Sequence, residues 1–460
     1  MSVESESRQR RSAPRRPAFW PRPSAAGYAP VLHSLLGRLL GRPPVFRLEC
    51  WDGSVAGPDD AALHVTIRTP QALRRMLWRP DELGLARAFV SGDITADGDV
   101  ASAFAAMEAA SAPDEAPPRR LPDLAAVFRV AWQVGALGLP PAPPASEARL
   151  HGGLHTRRRD AAAVSHHYDV GNEFYRLLLG ESMVYSCAYW RDEPSPSYSL
   201  FDAQTDKLDL VARKLGLEPG LRLLDIGCGW GSMLLHAASH YGVRGVGVTL
   251  SKEQAVLARQ RVAEAGLSDT IDIRVCDYRD LADGPYDAIS SIGMAEHVGL
   301  AAFADYAKTL NGLLRPGGRL LNHQISKPHG PRERHQSPFI ARYVFPDGEL
   351  LPISDVVGAL ERGGFEIRDV ESIREHYAHT LRAWLANLEA RYDEARAMVG
   401  EERARVWRLY IAASAASFTS GRISVHQTLA VKRDRGRSGM PLTRERWLWA
   451  VQEPTRTPSR

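Results

Sequence analysis

The sequence predicts an α/β chain, a doubly wound parallel sheet preceded by a smaller α+β unit, and three observations predict it. Strand-like apolar runs alternate with helical patterns from about Ala161 to Arg433, as a sheet covered on both faces requires. One of those runs, LRLLDIGCGWG at Leu221–Gly231, empties into Gly227, Gly229 and Gly231, a tight turn that brings backbone close to a ligand. A length of 460 residues exceeds one ordinary domain, so a second folded unit is expected.

Residues 1–29 carry no periodicity and are rich in Pro and Arg, which predicts a disordered basic tail. The unit at 30–110 alternates helical patterns (Val31–Leu40, Gln71–Met76, Glu82–Val90) with strand-like pieces at Phe46–Cys50 and Ala62–Ile67. A Pro-rich linker at 111–160 follows, with breaks at Ser111–Arg120 and Pro140–Pro144 around one apolar helix, Leu121–Leu137. That helix carries Phe128, Trp132 and Val134, which need a partner domain or a lipid to cover them. The second domain, 161–433, has strands at Arg222–Asp225, Gly245–Val248, Ile271–Val275, Ala288–Ser290 and Arg319–His323, with later ones near Glu366–Val370 and Val425–Val431. Ser251 and Gln254 form a capping box that opens the helix after the second of these strands. A basic tail, 434–460, ends the chain, and Trp447 and Trp449 suggest that part of it docks.

Composition narrows the function classes. No run approaches the roughly 18 apolar residues of a membrane span, and the polar, Arg-rich start is unlike a signal peptide, so a cytoplasmic protein is expected. Cys50, Cys187, Cys228 and Cys276 are scattered without paired spacing, which argues against a disulfide scaffold and a zinc site. The formal charge of +4 is small but uneven, with arginines clustered at Arg8–Arg22 and Arg157–Arg159. Such clusters are solvated surface or are drawn to an anionic partner, phospholipid or nucleic acid, and composition does not choose between these.

The glycine turn marks a nucleotide-sized cofactor. In a dinucleotide site the second strand ends in an acidic residue for the ribose, whereas here it ends in Thr249-Leu250-Ser251. Asp225, just before the glycines, can meet turn amides or an ammonium group. A cofactor with a sulfonium and an amino-acid end suits this pattern better than a pyrophosphate, which favours S-adenosylmethionine over NAD. Cys276-Asp-Tyr-Arg-Asp-Leu281, after the third strand, places polar and aromatic groups where an adenine would lie.

The motifs SHHYDVGNEFY (Ser165–Tyr175), YSCAYW (Tyr185–Trp190), LLDIGCGWG (Leu223–Gly231), GVTLSKEQ (Gly247–Gln254), DYRDL (Asp277–Leu281), GMAEHVG (Gly293–Gly299) and FPDGELLP (Phe345–Pro352) follow one another in this order. Together they resemble the cyclopropane-fatty-acyl-phospholipid synthase and mycolic acid cyclopropane synthase family. The resemblance implies a Rossmann-like class I methyltransferase with a smaller N-terminal α+β lipid-binding domain. It implies methyl transfer from S-adenosyl-L-methionine to the cis double bond of a phospholipid acyl chain, with ring closure assisted by bound bicarbonate. The bicarbonate cradle it implies is Cys187, Glu296, His323, Ile325 through its backbone, and Tyr377. The cofactor contacts it implies are Tyr168, Ser186, Gly227, Gly229, Thr249, Leu250, Gln254, Tyr278 and Arg279, beside Asp225 from the reading above. No metal and no nucleic acid is expected. The expected partners are a phospholipid membrane surface and a second copy of the chain, which places the protein peripherally at the inner face of the cell membrane. Asn322 and Gln324 flank His323 with polar groups, a departure from the family pattern. Phe174, Tyr175, Tyr185, Tyr189, Trp190 and Phe345 are candidates for an aromatic wall around a developing cation. The Cys187 thiol is read as a neutral neighbour of the anion, because an alkene does not accept a thiolate.

Overall fold

The computed structural model describes residues 27–40, 43–102, 104, 124–133, 135–148, 159, 167, 170–330 and 337–445. These fall into two compact units, those within Met1–Gly98 and Ala116–Ala142, and those within Asp99–Glu115 and Pro143–Arg460.

The first unit holds strands β1 (Arg47–Cys50), β2 (Val55–Ala56), β3 (Leu63–Ile67) and β4 (Ile94–Gly98) in the order β2-β1-β3-β4. β1 and β3 run parallel and the other pairs antiparallel. Helices Ala29–Leu40, Gln71–Trp78 and Glu82–Val90 accompany them, the last capped by the Asp81 carboxylate on the N–H groups of Leu83 and Gly84. The apolar helix of the linker is present as Leu124–Gln133 and belongs to this unit: Ala131 and Ala136 join the core of Tyr28, Leu32, Leu48 and Ile67. Arg74 fastens the following chain by donating to the carbonyls of Gly135, Ala136 and Leu137.

The second unit is built on β5 (Arg222–Ile226), β6 (Arg244–Thr249), β7 (Ile271–Val275), β8 (Tyr286–Ile292), β9 (Leu314–Lys327), β10 (Leu351–Pro352), β11 (Glu366–Ser372) and β12 (Ser424–Val431). Their order is β11-β12-β9-β8-β5-β6-β7, with β10 beside β9. From β7 to β9 the sheet is parallel, and β12 inserts antiparallel to both β9 and β11. β5 is buried on both faces, which explains its unbroken apolar run: Leu224 and Ile226 enter one core and Leu223 the other. The first core also takes Phe303 and Tyr306 from helix Leu300–Leu313, and the second takes Val211 and Leu215 from helix Leu200–Leu215.

Two local expectations are corrected. The capping box is half formed: Ser251 Oγ accepts from the Gln254 N–H at 3.2 Å, but the Gln254 side chain accepts from Thr249 Oγ1 at 2.9 Å instead of reaching back. Arg159, in a cluster read as either solvated surface or drawn to an anionic partner, instead pairs in bidentate fashion with Asp347, Nη2 lying 2.7 Å from Oδ1. Arg157 and Arg158, the arginines of the first stretch, Trp447 and Trp449 lie outside the described residues.

Candidate active site

At the carboxyl ends of β5, β6 and β7 the sheet opens into a cavity of about 180 Å³. The Gly-rich turn forms its floor. Gly227 has φ +73°, and a Cβ there would lie 3.1 Å from the Met294 side chain, while Gly229 has φ +54°. The turn is held by the Gly227 and Cys228 N–H groups, both donating to Val248 O. Asp225, Ser186, Thr249, Leu250, Gln254, Tyr278 and Arg279 line the same cavity, so every described residue expected to touch the cofactor is brought to one place. Tyr168 lies outside the described residues.

The donor set fits S-adenosylmethionine. Helix Ser232–Tyr241 starts at the turn and presents its free N–H end there. At the end of β6 the polar group is the Thr249–Gln254 pair, without an acidic side chain. After β7, Asp277 caps a short turn of 3-10 helix through the Arg279 N–H, and its carboxylate also holds the Arg279 guanidinium, which lies over the Tyr278 ring. Asp225 is buried and accepts from Ser290 Oγ at 2.6 Å; burial pushes its carboxyl up to about 6, against the pull of Ser290 and Lys207.

The residues of the implied bicarbonate cradle occupy three positions: the turn after β8 with the Ile325 N–H, His323 on β9, and Cys187 beside Ile373 at the start of helix Arg374–Ala390. Glu296, in a 3-10 turn after β8, accepts at Oε1 from the Ile325 N–H at 2.8 Å, so this backbone donor is turned to Glu296. Its Oε2 is buried without a partner, and burial pushes the carboxyl up to about 7. His323, on β9, is buried with Nε2 unpartnered, and burial together with Lys207, Lys214 and His426 holds it well below its ordinary value, hence neutral. Its Nδ1 lies 3.4 Å from Gln427 Nε2 across the β9–β12 pairing. Gln427 Oε1 accepts from Lys214, so Nε2 is the amide donor and the proton of the neutral ring belongs on His323 Nε2. Cys187 is fully buried, its thiol pushed up by burial and facing the carbonyls of Ala188 and Ile373. Tyr377, one turn beyond Ile373 on helix Arg374–Ala390, packs on Trp384 and Phe418.

The aromatic candidates divide. Phe174, Tyr175, Tyr185 and Phe345 gather around His167 and Trp407, with Tyr185 reaching the cofactor cavity. Tyr189 stacks instead on His376, and Trp190 donates to Thr380 Oγ1. Trp407 and Tyr410, both on helix Glu401–Thr419, were not singled out in the sequence, where nothing separates them from ordinary helix core. Lys207 was missed too, although it and Lys214 sit seven apart on the apolar stripe of helix Leu200–Leu215, a legible oddity.

Comparisons with known proteins agree with this geometry. Residues 155–428 match the family model "Mycolic acid cyclopropane synthetase". The chain is 43% identical to "Probable fatty acid methyltransferase Rv3720" of Mycobacterium tuberculosis over 86% of this chain and 93% of that protein. It is 36% identical to the cyclopropane-fatty-acyl-phospholipid synthase of Escherichia coli strain K12, over 60% of this chain and 69% of that one. Among solved structures, mycolic acid cyclopropane synthase CmaA1 complexed with SAH and CTAB superposes with a TM-score of 0.55 at 35% identity, covering 59% of this chain and 97% of that one. The Gly-rich turn, the strand order and these matches coincide: the chain belongs to the mycolic acid cyclopropane synthetase family of S-adenosylmethionine-dependent methyltransferases.

Proposed function

We propose that the chain transfers the methyl carbon of S-adenosylmethionine to the cis double bond of an unsaturated phospholipid acyl chain and closes a cyclopropane ring, with bicarbonate as the base. The observation that carries this reading is the pair of unpartnered polar atoms, Glu296 Oε2 and His323 Nε2, buried beside the cofactor cavity. A buried acceptor next to His297 and a buried donor on the strand beside Ile292, two residues that line the cavity, suit a small anion that carries its own hydroxyl proton.

When bound, S-adenosylmethionine supplies an electrophilic methyl group and bicarbonate a proton acceptor. The Gly227–Gly231 turn and Asp225 fix the cofactor end of the site, and Tyr278 offers a face to its base. Tyr185 and its aromatic neighbours exclude water and present ring faces to positive charge developing on the alkene. Glu296 accepts from the anion's hydroxyl and His323 Nε2–H donates to it, orienting the base toward the proton that leaves as the ring closes. Cys187 packs as a small neutral group, and Tyr377 reaches the anion by its hydroxyl.

The first unit is the lipid-facing part of this proposal. Support comes from the linker helix, where Phe128 and Trp132 are 60% and 61% exposed. Attachment at the inner face of the membrane is peripheral, consistent with the finding that, among the described residues, no helix is long and apolar enough to cross a membrane. The homodimer rests on the resemblance alone, and sedimentation measures it directly.

A second reading is methylation of the same alkene without ring closure, giving a methylene or methyl-branched acyl chain. It is favoured by the relative that matches over 93% of its length, whose name speaks of fatty acid methylation and not of a ring. Cells expressing the protein and fed methyl-labelled methionine decide between them. Ring proton signals in the labelled lipid support the first reading; labelled lipid without them replaces it with the second. No labelled lipid overturns both.

A further inference from the structure

Helix Leu200–Leu215 buries two lysines two turns apart, and the structure treats them differently. Lys214, 0% exposed, is neutralised by Glu371 and Asp369 and donates to Gln427. Lys207, 1% exposed, has a single hydrogen bond among the described residues, from Nζ to Ser186 Oγ at 3.0 Å. Burying an ammonium with only a hydroxyl partner is costly, so the position calls for an anion.

Where that anion belongs follows from the surroundings. Lys207, Ser186 and Asp225 line one wall of the cofactor cavity, beside Gly227 and Gly229. Asp225 is buried with Oδ1 taken by Ser290, while the Lys207 Nζ hydrogen bond goes to Ser186. The wall therefore shows one cation and one carboxylate that favour each other's charge at a distance but, among the described residues, form no direct ion pair. That arrangement is complementary to an α-amino acid zwitterion, whose carboxylate faces the lysine and whose ammonium faces the aspartate. Because Ser186 Oγ accepts from Lys207, its own proton is free to donate to the same carboxylate.

We propose that Lys207, seconded by Ser186, clamps the carboxylate of the methionyl arm of S-adenosylmethionine. The inference rests on the S-adenosylmethionine reading of the cavity and adds a binding residue to it. Burial holds the Lys207 ammonium down to about 8, opposed by the Asp225 carboxylate, so it is still charged at neutral pH. A carboxylate against it restores the missing partner.

Calorimetry on the full-length protein tests the clamp with two probes: S-adenosylhomocysteine, which keeps the amino-acid arm, and 5′-methylthioadenosine, which lacks it. Lys207→Met is expected to weaken the first by about tenfold to a hundredfold, the scale of a charge-assisted hydrogen bond, and to leave the second within about twofold. Equal losses for both probes, or no loss for either, overturn the clamp. Should the variant fail to fold, the wild-type protein answers with S-adenosylhomocysteine and its decarboxylated analogue. A preference of about tenfold or more for the carboxylated probe supports the assignment, and equal affinities overturn it. If neither nucleoside binds the wild type, the cofactor reading itself falls, an outcome distinct from failure of the clamp.

Discussion

Glu296 carries the central group of the proposed chemistry. Burial raises its carboxyl to about 7, the Ile325 N–H opposing. On the proposed mechanism the ionised carboxylate is the stronger acceptor for the anion's hydroxyl, so turnover is expected to rise as pH climbs through about 7, and Glu296→Gln to lose that rise along with at least about a hundredfold in kcat. Affinity for S-adenosylhomocysteine should stay unchanged, which separates this loss from a collapsed cavity. The same shift bears on stability with a definite sign. A carboxyl raised above its unfolded value of 4.5 favours folding while protonated, a contribution lost as pH rises through about 7. Glu296→Gln is therefore expected to resist urea better than the wild type at pH 8 and about equally at pH 4; a variant weaker at pH 8 contradicts the buried, strained carboxylate. Cys187 gives the contrasting case. Its thiol is neutral and faces backbone carbonyls, a role a hydroxyl can fill, so Cys187→Ser should keep kcat within about threefold. A dead enzyme with normal cofactor affinity refutes that role.

Helix Leu200–Leu215 shows how one element divides stability from binding. Removing the charge at Lys214 leaves Asp369 and Glu371 at the β11 edge without their buried cation, so Lys214→Met should cost about 3 kcal/mol in urea unfolding. Among the described residues Lys207 has no carboxylate in ion-pair contact, and Lys207→Met should leave the urea midpoint unchanged or raise it. Equal destabilisation by both would refute the distinction. Elements of this kind were largely legible in the sequence, because strands buried on both faces write long apolar runs and helices write a period of 3.6. β5 to β9, β11 and β12 stand where the runs placed them. β2 and β4 escaped notice: one is two residues long, and the other, Ile94–Gly98, ends in Asp-Gly, which reads as a turn. The cofactor wall was legible from the glycines and the polar strand ends. Lys207 left only a trace, two lysines seven apart on an apolar stripe, since a lysine on a helix reads as solvated until the fold shows which face is covered. The same holds for the Thr249–Gln254 bond, which replaced a capping contact that spacing alone permits.

At the scale of the whole molecule, the proposed phospholipid substrate requires the chain to meet a bilayer, and two unlike features are available for that. One is charge: the arginines Arg8, Arg10, Arg11, Arg15, Arg16 and Arg22 of the first stretch, each worth about 1 kcal/mol near an anionic surface and screened by salt. The other is apolar: Phe128 and Trp132, one helical turn apart and both exposed on Leu124–Gln133. Arg159 adds nothing to the first, being spent on Asp347. The two contributions respond differently to ionic strength, which makes them separable by flotation with vesicles of anionic, cis-unsaturated phospholipid. Removing residues 1–26 should weaken binding at low salt and abolish most of its salt dependence. The double change Phe128→Ser and Trp132→Ser should lower binding by a similar factor at every salt concentration, while the melting temperature holds because neither ring is in the core. Catalysis then provides the cross-check: both variants should lose turnover on vesicles but keep wild-type affinity for S-adenosylhomocysteine. A double variant that binds vesicles as well as the wild type at high salt refutes the apolar contribution, and salt-independent binding of the intact chain refutes the electrostatic one.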